Sequence, residues 1–379
     1  MSAFLNHAGA SPPTDAVVRR MVTHLQREQE IGGYEAADEA AAEIASTRGS
    51  LARLVGGLPA EIALAGGATD AFERVMFAHL ADRGFFAHPA RIVVDPFTYS
   101  SMWLALSRWA QIRPLHVDVA APADDGTVDQ DSLNSLVDER TDAVLLTHMP
   151  THQGTVTDAG RLFPSLRDAA PAALFVLDIS QTVGQLPIDV GTIGCDVAFA
   201  PGRKFLRGPR GTGFAWVRHD IATSLDPLSL AFGSTVAGAS VHRQPDDATR
   251  FETFERPIAA LLGLGVAAAE ALVIGVDTIA SRIADRSDAI RSILDGRNGI
   301  RRLGTDSDRG IVTFTHDALG AAEASQRLVA AGIANRYMAG EPPMCDAGGG
   351  FEDSVRLSPH HITTDDELAR LADALGRVS

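Results

Sequence analysis

Lys204, in the run APGRKFLRGPRGTGF, is the single lysine among 33 lysines and arginines. Arginine serves surface and ion-pairing roles but stays protonated, whereas a lysine amine can lose its proton and condense with a carbonyl. A drift from lysine to arginine explains the absent lysines but not the retained one. Covalent chemistry on an aldehyde or ketone would explain it, and so would chance survival at a tolerant surface site. Upstream, Asp178 ends the apolar run ALFVLD, and Gln181 follows three residues later. A carboxylate there suits either a helix cap or a partner for a ring nitrogen, which it would keep protonated and able to accept electrons from a neighbouring carbanion. Gln181 can donate to a ring oxygen.

Three further stretches offer groups to the same kind of ligand. AGGATDAF sets Gly66, Gly67, Ala68 and Thr69 between a strand and a helix start. Unpaired amides and the positive dipole end favour a phosphate there, while the alternative is a plain turn capped by Thr69. Tyr99, in PFTYSSMW, either stacks on a flat ring or packs in the core. PTHQG contributes Thr151, His152 and Gln153. His148 and His152 lie four apart but on strand and loop, not one helix face, so no metal site is expected. Taken together, these residues suit a phosphorylated aromatic aldehyde.

The elements that would position them alternate in type. RIVVD, AVLLTH, ALFVLDIS and DVAFAP are apolar at consecutive positions, as strands covered on both faces are, and helical patterns such as GATDAFERVMFAHL and LFPSLRDAA fall between them. This βαβ rhythm predicts a mostly parallel sheet flanked by helices, with ligands beyond the carboxyl ends of its strands. After about residue 250 the pattern becomes a long helix opened by Pro257, a strand RGIVTFTH, a helix, SVRLSP and a last helix with Thr364 and Glu367 as a capping box. The expected organisation is a large α/β domain over 21–250 and a smaller α+β domain over 251–379, with the N-terminal segment 1–20 packing on the smaller one.

Composition narrows the function classes. A net charge of −15 without a basic stripe argues against nucleic acid, and two cysteines without paired spacing argue against a disulfide framework or structural zinc. MSAFLNHAGASPP does not read as a signal peptide, and the apolar stretch PIAALLGLGVAAAEALVIGV carries Glu270 and reads as a core helix rather than a membrane span. A cytoplasmic protein is the expectation, with no nucleic acid or membrane partner.

The block LFVLDISQTVGQLPIDVGTIGCDVAFAPGRKFLRGPRGTGFAWVR resembles the cofactor segment of class V aminotransferase-type enzymes, which have the fold type I architecture and bind pyridoxal 5'-phosphate. Their D-x-x-Q, then a lysine and a glycine-rich run, stand here as Asp178, Gln181, Lys204 and GPRGTG. The likeness extends from GGATDA to SVRLSPHHITTDDEL and covers essentially the whole chain. It implies a seven-stranded type of large-domain sheet. Lys204 would bond the cofactor aldehyde, Asp178 would pair with the ring nitrogen, and Gln181 would contact the ring hydroxyl. Ala68 and Thr69 would hold phosphate, Tyr99 would stack on the ring, Thr151 would lie at the same rim, and Arg356 would clamp the substrate carboxylate. Family members often carry histidine just before the lysine and serine or threonine three before it; this chain has Arg203 and Pro201, which leaves Arg203 as the substitute phosphate ligand. The family's usual homodimer would lend Thr253 or Arg256 from RFETFER to the partner's phosphate.

Within that family, EQEIGGYEAADEAAAEI, PTHQG and GRKFLRGPRGTGF resemble the hercynylcysteine sulfoxide lyases of ergothioneine biosynthesis, which cleave a C–S bond and release pyruvate and ammonia. Asn6, His7, Gly32, Gly33 and Tyr34 would then line the substrate side. Cysteine desulfurases, the next neighbours, need a mobile cysteine whose place falls near Glu341, with Cys345 a few residues further on. Transamination or epimerisation, and a catalytically silent binding protein, are the remaining alternatives.

Overall fold

Runs of apolar residues at consecutive positions become strands that bury both faces, and these form the centre of the molecule. The structure, a computed structural model, describes residues 3–84, 88–227, 230, 244–340, 347–348 and 350–378. In chain order the strands are β1 (Ala3–Phe4), β2 (Ile62–Ala65), β3 (Ala90–Val94), β4 (Leu115–Val119), β5 (Ala143–Thr147), β6 (Leu174–Asp178), β7 (Val197–Pro201) and β8 (Gly213–Val217), followed by β9 (Ile300–Leu303), β10 (Val312–His316), β11 (Ile333–Ala334), β12 (Arg336–Met338) and β13 (Ser354–Leu357). Seven of them form one sheet in the order β2-β8-β7-β6-β5-β3-β4. The pairings from β7 through β4 are parallel, and β8 runs antiparallel to both its neighbours. Every residue of β5, β6, β7 and β8 is buried, because an apolar layer covers each face of the sheet.

A second, antiparallel sheet, β12-β13-β10-β9, has its own core around Phe314, Leu328, Val355 and Leu371. The N-terminal residues belong to it: β1 pairs in parallel with β11, and Ala3 and Leu5 are fully buried in that core. Thr364 and Glu367 cap the last helix reciprocally, with Thr364 N–H donating to Glu367 Oε2 at 2.9 Å and Glu367 N–H donating to Thr364 Oγ1 at 3.3 Å.

The long apolar helix falls on the other side of the expected boundary. Pro257 is its cap residue and the helix runs Ile258–Ile274. Its Leu261, Leu262, Leu264, Ala268 and Ala271 pack into the large-domain core. The next helix, Val276–Asp295, leaves it at 83° through Gly275, whose φ of 86° suits glycine. That second helix gives Ile279 and Ile283 to the large core and Ile290 and Leu294 to the small one. Core membership therefore divides the chain inside this helix, not at residue 251. No single helix among the described residues is long and apolar enough to cross a membrane.

Candidate active site

The carboxyl ends of the parallel strands converge on Lys204. It lies just past β7, with its side chain 8% exposed in a cavity of about 370 Å³. Gly66, Gly67, Ala68, Thr69, Tyr99, Ser180, Arg203, Arg210 and Thr212 share that cavity. The loop that carries Lys204 folds back on itself: Arg207 N–H donates to Lys204 O at 2.9 Å and Gly208 N–H to Gly202 O at 2.7 Å. Arg207 takes a left-handed φ of 62° to close this turn, an uncommon conformation for a residue with a side chain. Both ends of the chain clamp the loop, since Ser11 N–H donates to Arg203 O at 2.8 Å and His360 Nε2 lies 2.9 Å from Phe205 O.

Lys204 Nζ lies 5.5 Å from the ring centroid of Tyr99, within the range of a cation–π contact. Tyr99 also packs against the core on that face of the sheet, so the two readings of this residue hold together. Asp178 occupies the last position of β6, the strand next to β7, and is 5% exposed. Its Oδ1 accepts from Ser180 N–H at 2.8 Å. On the far side of Asp178, Gln181 Nε2 donates to Thr151 Oγ1 at 3.2 Å and Ala8 O at 3.3 Å. Thr151 in turn accepts from Arg356: Nη1 reaches Thr151 O at 2.7 Å and Oγ1 at 2.9 Å, and Nη2 reaches Asn6 Oδ1 at 3.3 Å. A buried chain of contacts thus runs from Asn6 through Arg356 and Thr151 to Gln181.

Two supporting residues escaped the reading of the sequence. Asp95, wholly buried just past β3, accepts from Phe97 N–H at 3.0 Å, Thr98 Oγ1 at 3.2 Å and Thr147 Oγ1 at 3.1 Å, and from Thr147 N–H. It ties β3 to β5 beneath the segment that presents Tyr99, and a carboxylate just past a strand end was its signal. Arg210 was overlooked as the variable residue of the GPRGTG run, although a guanidinium in a glycine-rich loop beside the lysine is itself a cue. His152 stacks on Phe351 from the small domain at 4.2 Å and 5°. Among the described residues no group of histidines, cysteines and carboxylates forms a metal centre.

Tyr34, Thr253, Arg256 and His7 do not line the Lys204 cavity within the single chain, although the hollow of Thr253 and Arg256 shares Gly66 and Asp70 with it. Tyr34 is 70% exposed on a separate groove with Phe254 and Arg256, because the short helix Gly33–Glu39 turns it outward. Thr253 lines a hollow beside that groove, with its hydroxyl donating to Glu255 O at 3.2 Å. Arg256 is held by Glu252, which also pairs with Arg48 at 2.7 Å. His7 is buried against His360, ring centroids 4.8 Å apart, with Nδ1 2.8 Å from Ser11 Oγ. Cys345 is outside the described residues. Cys195 is buried, which pushes its thiol up to about 12 and leaves it inert as a nucleophile.

The histidines around His7 give the domain junction an acid sensitivity. Burial lowers His7 to about 3, with nearby Arg207 and His361 adding to the shift; burial likewise lowers His360 well below its usual value and His361 to about 4. The unfolded chain takes up these protons near 6.5 and the folded chain resists them, so stability is full above about pH 6.5 and falls as pH drops toward 4. Denaturation midpoints should therefore decline over that window, and His7→Asn together with His361→Asn should flatten the decline.

The cavity has the features a phosphorylated pyridine aldehyde requires. Gly67 caps the helix Ala68–Asp82 without a side-chain hydrogen bond, leaving its first-turn amides open to an anion. Ser180 Oγ and Gln181 Oε1 are buried without a hydrogen-bond partner among the described residues. Orphaned buried polar atoms of this kind call for a missing ligand. Lys204 would bond the aldehyde, Tyr99 would cover the ring, Asp178 would face the ring nitrogen, and Ala68, Thr69 and Arg203 would hold the phosphate.

Known proteins resemble this chain along nearly its whole length. The chain is 27% identical over 392 residues to a probable cysteine desulfurase of Methanothermobacter thermautotrophicus, spanning 99% of this chain and 94% of that one. It is also 27% identical over 376 residues to a probable hercynylcysteine sulfoxide lyase of Mycobacterium tuberculosis, spanning 98% and 89%. The fold matches an apo cysteine desulfurase of Thermococcus onnurineus at TM-score 0.87 and 19% identity, over 99% of this chain and 94% of that one. It matches the cystine C–S lyase C-DES, in complex with its product cysteine persulfide, at TM-score 0.87 and 20% identity, over 99% and 97%. The model of the class V aminotransferase family matches residues 3–371, and the chain belongs to that family of pyridoxal 5'-phosphate enzymes with the fold type I architecture.

Proposed function

We propose that this enzyme is a C–S β-lyase for a sulfur-containing amino acid of the hercynylcysteine sulfoxide type, releasing pyruvate and ammonia, and that it works as a homodimer. The observation that carries the chemistry is the chain's sole lysine, nearly buried beside Tyr99 in a cavity lined by anion-binding groups, just past the strand that neighbours the one ending in Asp178. The choice of substrate rests on the full-length likeness to the lyase relative and on EQEIGGYEAADEAAAEI and PTHQG.

Bound pyridoxal 5'-phosphate supplies an aldehyde that bonds the substrate amine and a protonated ring that takes up the electron pair released at Cα. Arg356 is suited to the substrate carboxylate, because Thr151 and Asn6 hold its guanidinium in one orientation. Lys204 Nζ is the base for the Cα proton, being the only side-chain amine in the chain. The Asp178 carboxylate, oriented by the Ser180 amide, would hold a proton on the nitrogen of a bound ring. The Cβ–S bond then breaks with its electrons leaving on sulfur, and water converts the three-carbon remainder to pyruvate and ammonia. Across a two-fold interface Tyr34 and Thr253 would complete the partner's cavity, since neither lines the Lys204 cavity of its own chain.

The second reading is cysteine desulfuration through Cys345, favoured by the cysteine desulfurase relatives. Product analysis separates the two. The lyase gives pyruvate and ammonia in equal amounts from S-substituted cysteine sulfoxides, and Cys345→Ser retains that rate within about twofold, since β-elimination uses no cysteine thiol as sulfur acceptor. Alanine plus persulfide from free cysteine, abolished by Cys345→Ser, would establish the desulfurase instead.

A further inference from the structure

The phosphate pocket of this chain carries an unbalanced charge. Arg203, Lys204 and Arg210 all line the cavity, and Asp70 is the one carboxylate that lines it. Asp70 is already engaged: its Oδ1 accepts from Arg74 Nε at 2.6 Å and its Oδ2 from Gly66 N–H at 2.8 Å. Neither Arg203 nor Arg210 has a carboxylate partner among the described residues, although ion pairs hold many other arginines of the chain. Burial lowers Arg203, which Tyr99 opposes and the neighbouring Arg210 charge adds to, and the two guanidinium groups line one site. Such an arrangement is unfavourable without an anion between them. The open amides of the helix Ala68–Asp82 and the orphaned, 5% exposed Ser180 hydroxyl face the same space.

We infer that Arg203 and Arg210 form a two-guanidinium clamp on the cofactor phosphate, with Arg210 closing it from the exposed rim in place of the hydroxyl that Pro201 cannot supply. The inference rests on the pyridoxal 5'-phosphate reading above and extends it to a residue with no previous role. A phosphate monoester carries close to two negative charges at neutral pH and offers three acceptor oxygens, which planar guanidinium forks match better than a single hydroxyl does.

The test is a binding titration of cofactor-free protein, read by absorbance of the lysine-bound chromophore and by tryptophan fluorescence, with pyridoxal 5'-phosphate and with pyridoxal, which lacks the phosphate. Arg210→Gln should weaken pyridoxal 5'-phosphate by roughly tenfold to a hundredfold and leave pyridoxal within about twofold, the loss expected for one charge-assisted contact. Arg203→Gln should act the same way, and Arg210→Lys should recover part of the loss. Inorganic phosphate should compete with the cofactor in the wild type and less well in Arg210→Gln. Equal weakening of both ligands, or no change in either, would overturn the clamp while leaving the cofactor assignment intact. Wild-type protein that binds neither ligand would overturn the cofactor assignment, and the clamp with it.

Discussion

Lys204→Ala should lower turnover by about 10³-fold or more, since it removes both the covalent anchor and the base that takes the Cα proton. The substitution leaves the loop's backbone bonds in place: Arg207 N–H still donates to residue 204 O, and Gly208 N–H to Gly202 O. Loss of activity with an unchanged unfolding midpoint is therefore the expected pattern. Borohydride reduction of the wild type in the presence of pyridoxal 5'-phosphate should fix the label on the peptide carrying Lys204. No other side-chain amine in the chain competes for it. A small exogenous amine should restore part of the rate in the variant by serving as a base. Label recovered at the α-amino group instead, or full activity without Lys204, would refute the assignment.

Asp178→Asn is the second large effect. Asparagine keeps an oxygen that can accept from Ser180 N–H, so the end of β6 should stay in place. What it loses is the negative charge that holds a proton on the ring nitrogen, worth the strength of one charged hydrogen bond and expressed only as charge builds on the ring. We expect kcat to fall by about 10²-fold with KM changed by no more than a few fold. The borohydride adduct at Lys204 should form as before, because that bond precedes any charge on the ring. A rise in KM with kcat preserved would instead give Asp178 a part in ground-state binding alone.

The two variants probe different depths of what the sequence displays. Consecutive apolar positions are a direct consequence of a strand covered on both faces, so β3, β5, β6 and β7 were legible without knowledge of their neighbours. The candidates at or past their ends, Asp178, Tyr99 and Lys204, followed from the rule that ligands gather at carboxyl ends. The order of the strands did not follow, because β8 packs antiparallel between β2 and β7 and no local pattern records a partner more than a hundred residues distant. The core that takes the long apolar helix did not follow either, for a related reason. A uniformly apolar helix such as Ile258–Ile274 says that it will be buried and says nothing about which core will bury it. Asp95 and Arg210 were passed over because their importance lies in what surrounds them: a buried carboxylate that joins two strand ends, and a cation brought beside a second cation across a loop.

By itself, the sequence determined the main strands and helices and the chemical class of the cofactor, and it singled out Lys204 as the candidate nucleophile, because backbone periodicity and the difference between an amine and a guanidinium are properties of residue type and spacing. Only the tertiary structure decided which groups meet. Asn6 reaches Arg356, Thr151 joins that guanidinium to Gln181, Tyr34 turns onto a separate groove, and Thr253 lines a hollow that borders the cavity at Gly66 and Asp70. Those outcomes depend on how whole elements pack to hide apolar surface, a condition on the entire chain that no short segment encodes.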